Sequence, residues 1–178
     1  MIVVIDCRDS FVYNLVDYLS IYDSVKVLDI DDAVEVRKIN FDGIVISPGP
    51  GKPDRRLEFL FEFNTPVLGV CLGHQIIAEV FGGRVEKVKP VHGKVSLVWH
   101  DGEEIFRGVR NPFNAGRYHS LAVTQPPEGF RVNARSDDGL IMGIKRGHIY
   151  GVQFHPESVL TEDGLRIVRN FVEICHDR

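Results

Sequence analysis

Cys71 lies between two glycines in the run Val67-Leu68-Gly69-Val70-Cys71-Leu72-Gly73-His74-Gln75. Val67 to Val70 is short and apolar enough for a buried strand, and from Gly73 onward Ile76, Ile77 and Val80 recur at helical spacing. The thiol therefore falls on a sharp strand-to-helix turn, the cysteine form of a nucleophile elbow. A helix opening just behind it aims unpaired N–H groups and a partial positive charge at the sulfur. That setting suits a reactive sulfur anion.

A cysteine nucleophile needs a base, and the base needs an orienting partner. Of the seven histidines, His155 has a carboxylate two residues on with a proline between, in His155-Pro156-Glu157. Pro156 biases His155 to extended backbone, where residues i and i+2 point the same way. Glu157 then accepts from one ring nitrogen and leaves the other for a substrate or thiol. Spacing alone does not say that His155 reaches Cys71. A third stretch, Ser47-Pro48-Gly49-Pro50-Gly51, carries two prolines without N–H groups and two glycines with bare backbone. It reads as a stiff turn, or as a loop facing a ligand at the carboxyl end of a strand.

The elements around these stretches predict an α/β fold. Ile2–Asp6, Val25–Leu28 and Ile44–Ile46 read as strands. A helix with Phe11, Leu15, Tyr18 and Leu19 on one stripe, capped by Asp9 or Ser10, follows the first. Ala33–Ile39 is weakly helical, and Arg55–Phe63 is a short helix ended by Thr65-Pro66. This β-α-β-α-β order implies a doubly wound, mostly parallel sheet with helices on both faces. After Gly83, short strands at Val85–Val88, Val95–Trp99, Leu121–Thr124, Phe130–Ala134, Leu140–Ile144 and Ile149–Phe154 alternate with turn-formers. They predict a smaller antiparallel, β-rich part on the same domain. Thr161 is the expected cap of a closing helix over Gly164–Cys175.

The 178 residues predict one domain over 1–178, and a net charge of −4 gives no nucleic-acid footprint. No apolar stretch spans a bilayer, and the first residues read as a strand rather than a leader. Cys7, Cys71 and Cys175, odd in number and far apart, argue for a reducing, cytoplasmic setting and against disulfides or a metal site. Cys7 and Cys175 are expected as inert packing.

Taken together, Ser47–Gly51, Gly69–Gln75 and Gly151-Val-Gln-Phe-His-Pro-Glu-Ser158 resemble the class I, triad-type glutamine amidotransferases. Asp9-Ser10-Phe11, Tyr13-Asn14-Leu15, His92-Gly93-Lys94, Asn111-Pro112-Phe113 and Arg117-Tyr118-His119-Ser120-Leu121 extend the likeness nearly end to end. These middle motifs are similar to the branch that holds the glutaminase components of anthranilate synthase and aminodeoxychorismate synthase. The resemblance implies that Cys71 attacks the side-chain amide of glutamine, that His155 moves the protons, and that Glu157 fixes its tautomer. It places the oxyanion against the N–H groups of Leu72 and Gly49. It makes Gly49, Pro50, Gly51, Gln75, Ser120 and Leu121 the substrate contacts. It implies no cofactor, and it implies a heteromer in which the partner is a chorismate-using synthase subunit. A helix position beside Gln75 gives His74 a packing role. Arg117 reads as a surface arginine or an interface ion, His119 is open, and His92-Gly93-Lys94 is either a partner contact or a strand start. One departure is Cys7, which holds the place of an expected asparagine and puts a local hydrogen bond in question. Two readings of other classes stand beside this one: a stand-alone cysteine hydrolase or peptidase, and a non-catalytic regulatory subunit.

Overall fold

A computed structural model describes all residues, Met1–Arg178. Its centre is one nine-stranded sheet in the order β2-β1-β3-β4-β9-β8-β7-β5-β6. β1 (Ile2–Asp6), β2 (Val25–Asp29), β3 (Gly43–Ile46), β4 (Val67–Val70) and β9 (Ile149–Val152) run parallel. β5 (Arg84–His100), β6 (Phe113–Gln125), β7 (Arg131–Ser136) and β8 (Ile141–Arg146) extend the sheet through antiparallel pairs.

The apolar runs explain the layering. Successive side chains leave a strand on opposite faces, and a parallel strand covered on both sides needs apolar residues throughout. Ile2, Val4, Val45, Leu68 and Val70 pack on one face against α1 (Val12–Ser20) and α3 (Gly164–His176). Val3, Ile5, Ile44, Ile46 and Val67 pack on the other, against 3-10 turns at Ile30–Lys38 and Glu58–Phe63 and against α2 (Leu72–Val80). The doubly wound expectation holds, with the antiparallel part continuing the same sheet.

Several boundaries differ from the sequence reading. Val85–Val88 and Val95–Trp99 are one strand, because Pro90 and Gly93 are absorbed as bulges: pairing with β6 shifts register between Lys87 and Val91 and again between His92 and Lys94. β6 starts at Phe113, well before Leu121. Thr161 does not cap α3; Asp163 holds that position, and the Thr161 hydroxyl donates to the His155 carbonyl at 2.6 Å. At α1 neither expected residue is the cap, which is Phe11, although Asp9 accepts from the Phe11 N–H at 2.7 Å.

Candidate active site

The parallel pairing of β4 with β9 assembles the site. Gly69 lies opposite Gly151 and Val70 opposite Val152, so Cys71 and Gln153 leave the sheet side by side, with His155 two residues further. The Cys71 N–H still bonds to the Val152 carbonyl at 2.8 Å. Beyond that bond Cys71 turns sharply, at φ 54° and ψ −100°, a conformation costly for a residue with a Cβ. The flanking glycines are what the turn requires. A Cβ on Gly69 would sit 2.5 Å from the Gly73 carbonyl, and one on Gly73 would sit 2.3 Å from the Ile46 carbonyl oxygen. Both obstacles are backbone, which does not swing aside. Gly73→Ala is therefore expected to destabilise the protein by about 3 kcal/mol, at the upper end of overpacking costs, and to displace the thiol. A urea titration together with Cys71 labelling checks both effects; unchanged stability would contradict the packing.

Leu72 opens α2 directly after Cys71, so its N–H has no carbonyl behind it in the helix. The Ser47–Gly51 loop lies across the end of β3. Ser47 is fully buried, and its hydroxyl oxygen accepts from the Cys7 N–H at 2.8 Å while the hydroxyl donates to the Pro48 carbonyl at 2.7 Å. Gly49 rides directly on Cys7, where a Cβ would fall 2.4 Å from the Cys7 carbonyl oxygen. Cys7 thus makes its local bond through its backbone. Burial pushes the Cys7 thiol up to about 11 and the Cys175 thiol up to about 12, so both stay protonated packing groups.

His155 and Glu157 are both buried, and Nδ1 of His155 donates to Oε1 of Glu157 at 2.6 Å. Burial pulls the imidazole pKa down, but the Cys71 sulfur and then Glu157 outweigh it and hold the ring well above the ordinary histidine range. The direction is that of a ring whose charged form both neighbours favour. Oε2 of Glu157 has no partner among the protein groups, and the bond from Nδ1 is the one that compensates the buried carboxylate. Nε2 of His155 is left for the sulfur and has no aligned protein bond, as expected of a group that tightens only around a substrate. The ring is held edge-on by Tyr118 and Phe11, with centroids 5.1 and 5.9 Å away. Below, a Cβ on Gly164 would fall 1.9 Å from the Pro156 carbonyl oxygen, so the start of α3 buttresses the His-Pro-Glu turn. Phe11 and Tyr118 were not legible as site residues. Phe11 reads as part of a helix stripe, and only the fold turns it towards His155.

Beside the sulfur is a cavity of about 180 Å³ lined by Gly49, Pro50, Gly51, Cys71, Gln75, His92, Tyr118, His119, Ser120 and Leu121. All six expected substrate contacts are in this wall. Gln75 is nearly buried, and its amide nitrogen donates to the Leu121 carbonyl at 3.0 Å and to Oε1 of Gln153 at 3.1 Å. Both amide hydrogens are thereby used, and Gln75 offers the cavity an acceptor alone. A larger cavity of about 480 Å³, with Lys89, Lys94, Ser96, Arg117 and Asp138 among its walls, holds no nucleophile beside a base. The chemistry belongs to the smaller one.

Arg117 corrects the surface reading. It is 1% exposed, donating through Nη1 to Ser96 at 2.9 Å and Asp138 at 3.0 Å, and through Nε to His119 at 3.0 Å. His92 is exposed in mid-strand at a bulge and reaches the cavity rim, so it is not a strand start. His74 packs as expected: it is fully buried, with its ring against Gly151, where a Cβ would lie 2.6 Å from Nδ1.

Burial lowers His74 to about 3, and burial followed by the Arg117 charge lowers His119 to about 4. In the unfolded chain both titrate near ~6.5. Their neutral native forms cost nothing above that pH. As pH falls below it, the unfolded state gains the protons first, and each histidine removes about 1.4 kcal/mol of stability per pH unit. Between pH 7 and pH 5 the protein is expected to lose about 4 kcal/mol from the pair, by the same slope. Urea midpoints at the two pH values check this, and His74→Phe is expected to recover about half. A variant as acid-labile as the parent would contradict it.

An elbow cysteine, a buried histidine–glutamate pair and a glutamine-lined cavity at the carboxyl edge of a parallel sheet define a triad-type hydrolase of amides. The family model for class-I glutamine amidotransferases matches residues 3–175, and the chain belongs to that family. It is 70% identical to the anthranilate synthase component 2 of Archaeoglobus fulgidus over 177 residues, 99% of each chain. It is 45% identical to the aminodeoxychorismate/anthranilate synthase component 2 of Bacillus subtilis, covering 97% of this chain and 96% of that one. A solved structure assigned to a GMP synthase subunit from Thermoplasma acidophilum superposes with a TM-score of 0.89 at 29% identity, covering 99% of this chain and 94% of that one.

Proposed function

We propose that this chain is the glutamine-hydrolysing subunit of an anthranilate synthase. The observation that carries the chemistry is the cluster of Cys71, His155 and Glu157 beside a cavity whose wall holds Gln75. Glutamine enters with its side-chain amide at Cys71, and its amino-acid end lies towards Gln75, Ser120 and Leu121. The sulfur anion attacks the amide carbon. The oxyanion that forms is met by the N–H of Leu72 and one from Gly49, each donor contributing about 3 kcal/mol to the barrier. His155 gives its Nε2 proton to the departing nitrogen, leaving a glutamyl thioester. Water, deprotonated by the now neutral ring, releases glutamate. Side chains and backbone carry every step, and no cofactor takes part.

The likeness to anthranilate synthase component 2 along the full length supports the branch and a synthase partner that uses chorismate. In bulk water ammonia protonates and ceases to be a nucleophile, so the two subunits dock directly and pass it through a dry route. Aminodeoxychorismate as product is the second reading, favoured by the double name of the Bacillus relative. The unpaired thiols fit the cytoplasm, and no helix is long and apolar enough to cross a membrane. The test is to mix the chain with the synthase subunit from the same source and supply glutamine and chorismate. Glutamate release is expected to rise on mixing, with anthranilate formed in equal amount. Aminodeoxychorismate would move the assignment to the other branch, and no response to a verified partner would overturn it.

A further inference from the structure

We infer that Gln153 is a positioning residue for the nucleophile, orienting the Cys71 sulfur through a hydrogen bond whose direction is set by a polar chain starting at the Leu121 carbonyl. The inference rests on the Cys71 chemistry proposed above and adds a residue to it. Gln153 is fully buried in a run of otherwise apolar residues, and its Nε2 lies 3.6 Å from the Cys71 sulfur. An amide buried at the cost of desolvation is retained only if its groups are bonded.

Each bond in the chain has one allowed sense. Nε of Arg117 can only donate, so Nε2 of His119 accepts at 3.0 Å. A neutral imidazole then carries its hydrogen on Nδ1 and donates to the Leu121 carbonyl at 2.9 Å. That carbonyl can only accept, so it is the amide nitrogen of Gln75 that faces it. The second hydrogen of the same nitrogen goes to Oε1 of Gln153. This turns Nε2 of Gln153 to the sulfur as a donor. The Leu121 carbonyl accepts whichever tautomer His119 holds, so it alone sets the sense of the two glutamine amides, while Arg117 and His119 hold that carbonyl in place. The Nε2 donor of Gln153 fixes where a lone pair of the sulfur points.

The test uses Gln153→Met, which keeps length but removes both polar atoms, and Gln153→Glu, which keeps the acceptor for Gln75 and replaces the donor with a charge. The rate of Cys71 alkylation by iodoacetamide is followed across pH, with the labelled peptide identified by mass; Cys7 and Cys175, whose thiols burial pushes up to about 11 and about 12, serve as internal controls. The titratable neighbours His155, Glu157 and His119 are unchanged in both variants. In Gln153→Met the pH of half-maximal alkylation is expected to move up by about one unit, the size of a lost hydrogen bond to a charged group. In Gln153→Glu it is expected to move further. The kcat for glutamine in the complex is expected to fall about tenfold or more in both variants, with KM changed less than threefold. Profiles that coincide with the parent's in both variants would overturn the inference, as would a shift in the Glu variant alone, since a charge would then be the whole effect. If Gln153→Met loses its cooperative unfolding transition, Gln153→Asn, which keeps a neutral amide but withdraws it from the sulfur, takes its place with the same expected shift. A parent complex that does not hydrolyse glutamine would instead defeat the functional reading, and the parent is measured in the same series.

Discussion

Cys71→Ser in the complex is expected to abolish glutamine-dependent product formation, by about 10⁴-fold or more, while leaving product formation from added ammonium salts intact. The first half follows from the geometry of the elbow. The serine hydroxyl would occupy the same strained position, at φ 54°, and meet the same His155. What it lacks is the ease with which sulfur gives up its proton. The imidazole here is held charged by the neighbouring sulfur and Glu157, so its proton is already in place for the leaving nitrogen. An alcohol gives up its proton far less readily than a thiol and forms no anion beside this ring, and losing a nucleophile from a working triad costs several orders of magnitude. The second half follows from the division of labour: ammonia is the only product that the partner needs. At alkaline pH, with free ammonia present, the synthase step is expected to proceed at its parent rate. Both arms are read from one assay, anthranilate fluorescence with glutamine or with ammonium chloride. A variant that retained glutamine-dependent turnover would remove Cys71 from the mechanism. A variant that failed with both nitrogen sources would point to a broken interface.

The elbow was legible because its chemistry is local. Gly69, Cys71 and Gly73 lie within one turn, and a change from strand to helix period marks the place. His155-Pro156-Glu157 was legible for the same reason, since extended backbone alone aligns the two side chains. What joins them was legible through the family likeness alone and not from the spacing of the residues. The parallel pairing of β4 with β9 closes across a long stretch of chain, and no residue in either strand announces the other. Gln153 was hidden by that same step. A lone polar residue in Ile149-Tyr-Gly-Val-Gln-Phe154 was the one available signal, and only register tells that it lies beside the sulfur. Arg117 was misread because burial of a guanidinium is rare. It is possible here because Ser96, Asp138 and His119 take three of its bonds, and these come from β5, from the turn after β7 and from its own strand. Pro90 and Gly93 misled in the opposite direction. They carry the signature of turns, yet a long two-stranded ribbon tolerates them as bulges.

These misses share a cause. The antiparallel half supplies one wall of the cavity, through Tyr118, His119, Ser120 and Leu121, and also holds the polar chain that ends at the sulfur. The parallel half supplies the nucleophile and the Gly49 loop. Neither half is a site alone. A reading that treats the second half as an appendage to a doubly wound core finds the reacting atoms and misses what orients them.

Glu157→Gln puts that distinction between reacting and orienting atoms to a direct test. The substitution keeps shape and volume at a fully buried position, so the fold is expected to survive. Two things change at His155. Nδ1 now faces an amide that can turn its NH₂ towards the ring, which stabilises the tautomer with hydrogen on Nε2 and leaves no free nitrogen to take a proton from sulfur or water. The ring also loses one of the two groups that favour its charged form. Together these are expected to lower kcat by about 10³–10⁴-fold, the cost of an equivalent change in a serine triad. KM is expected to stay within a few-fold, because neither His155 nor Glu157 forms part of the cavity wall. The pH profile carries the sharper signature. His155 must be protonated to release ammonia, and its pKa is raised in the parent. With Glu157 neutralised that pKa falls, so the alkaline limb of kcat is expected to move towards lower pH. Glu157→Asp keeps the charge but shortens the reach, and is expected to lose less activity and to shift the limb less. A Gln variant with parent-like kcat and an unmoved alkaline limb would mean that the 2.6 Å bond between His155 and Glu157 is packing, and the ring is held by Tyr118 and Phe11 alone.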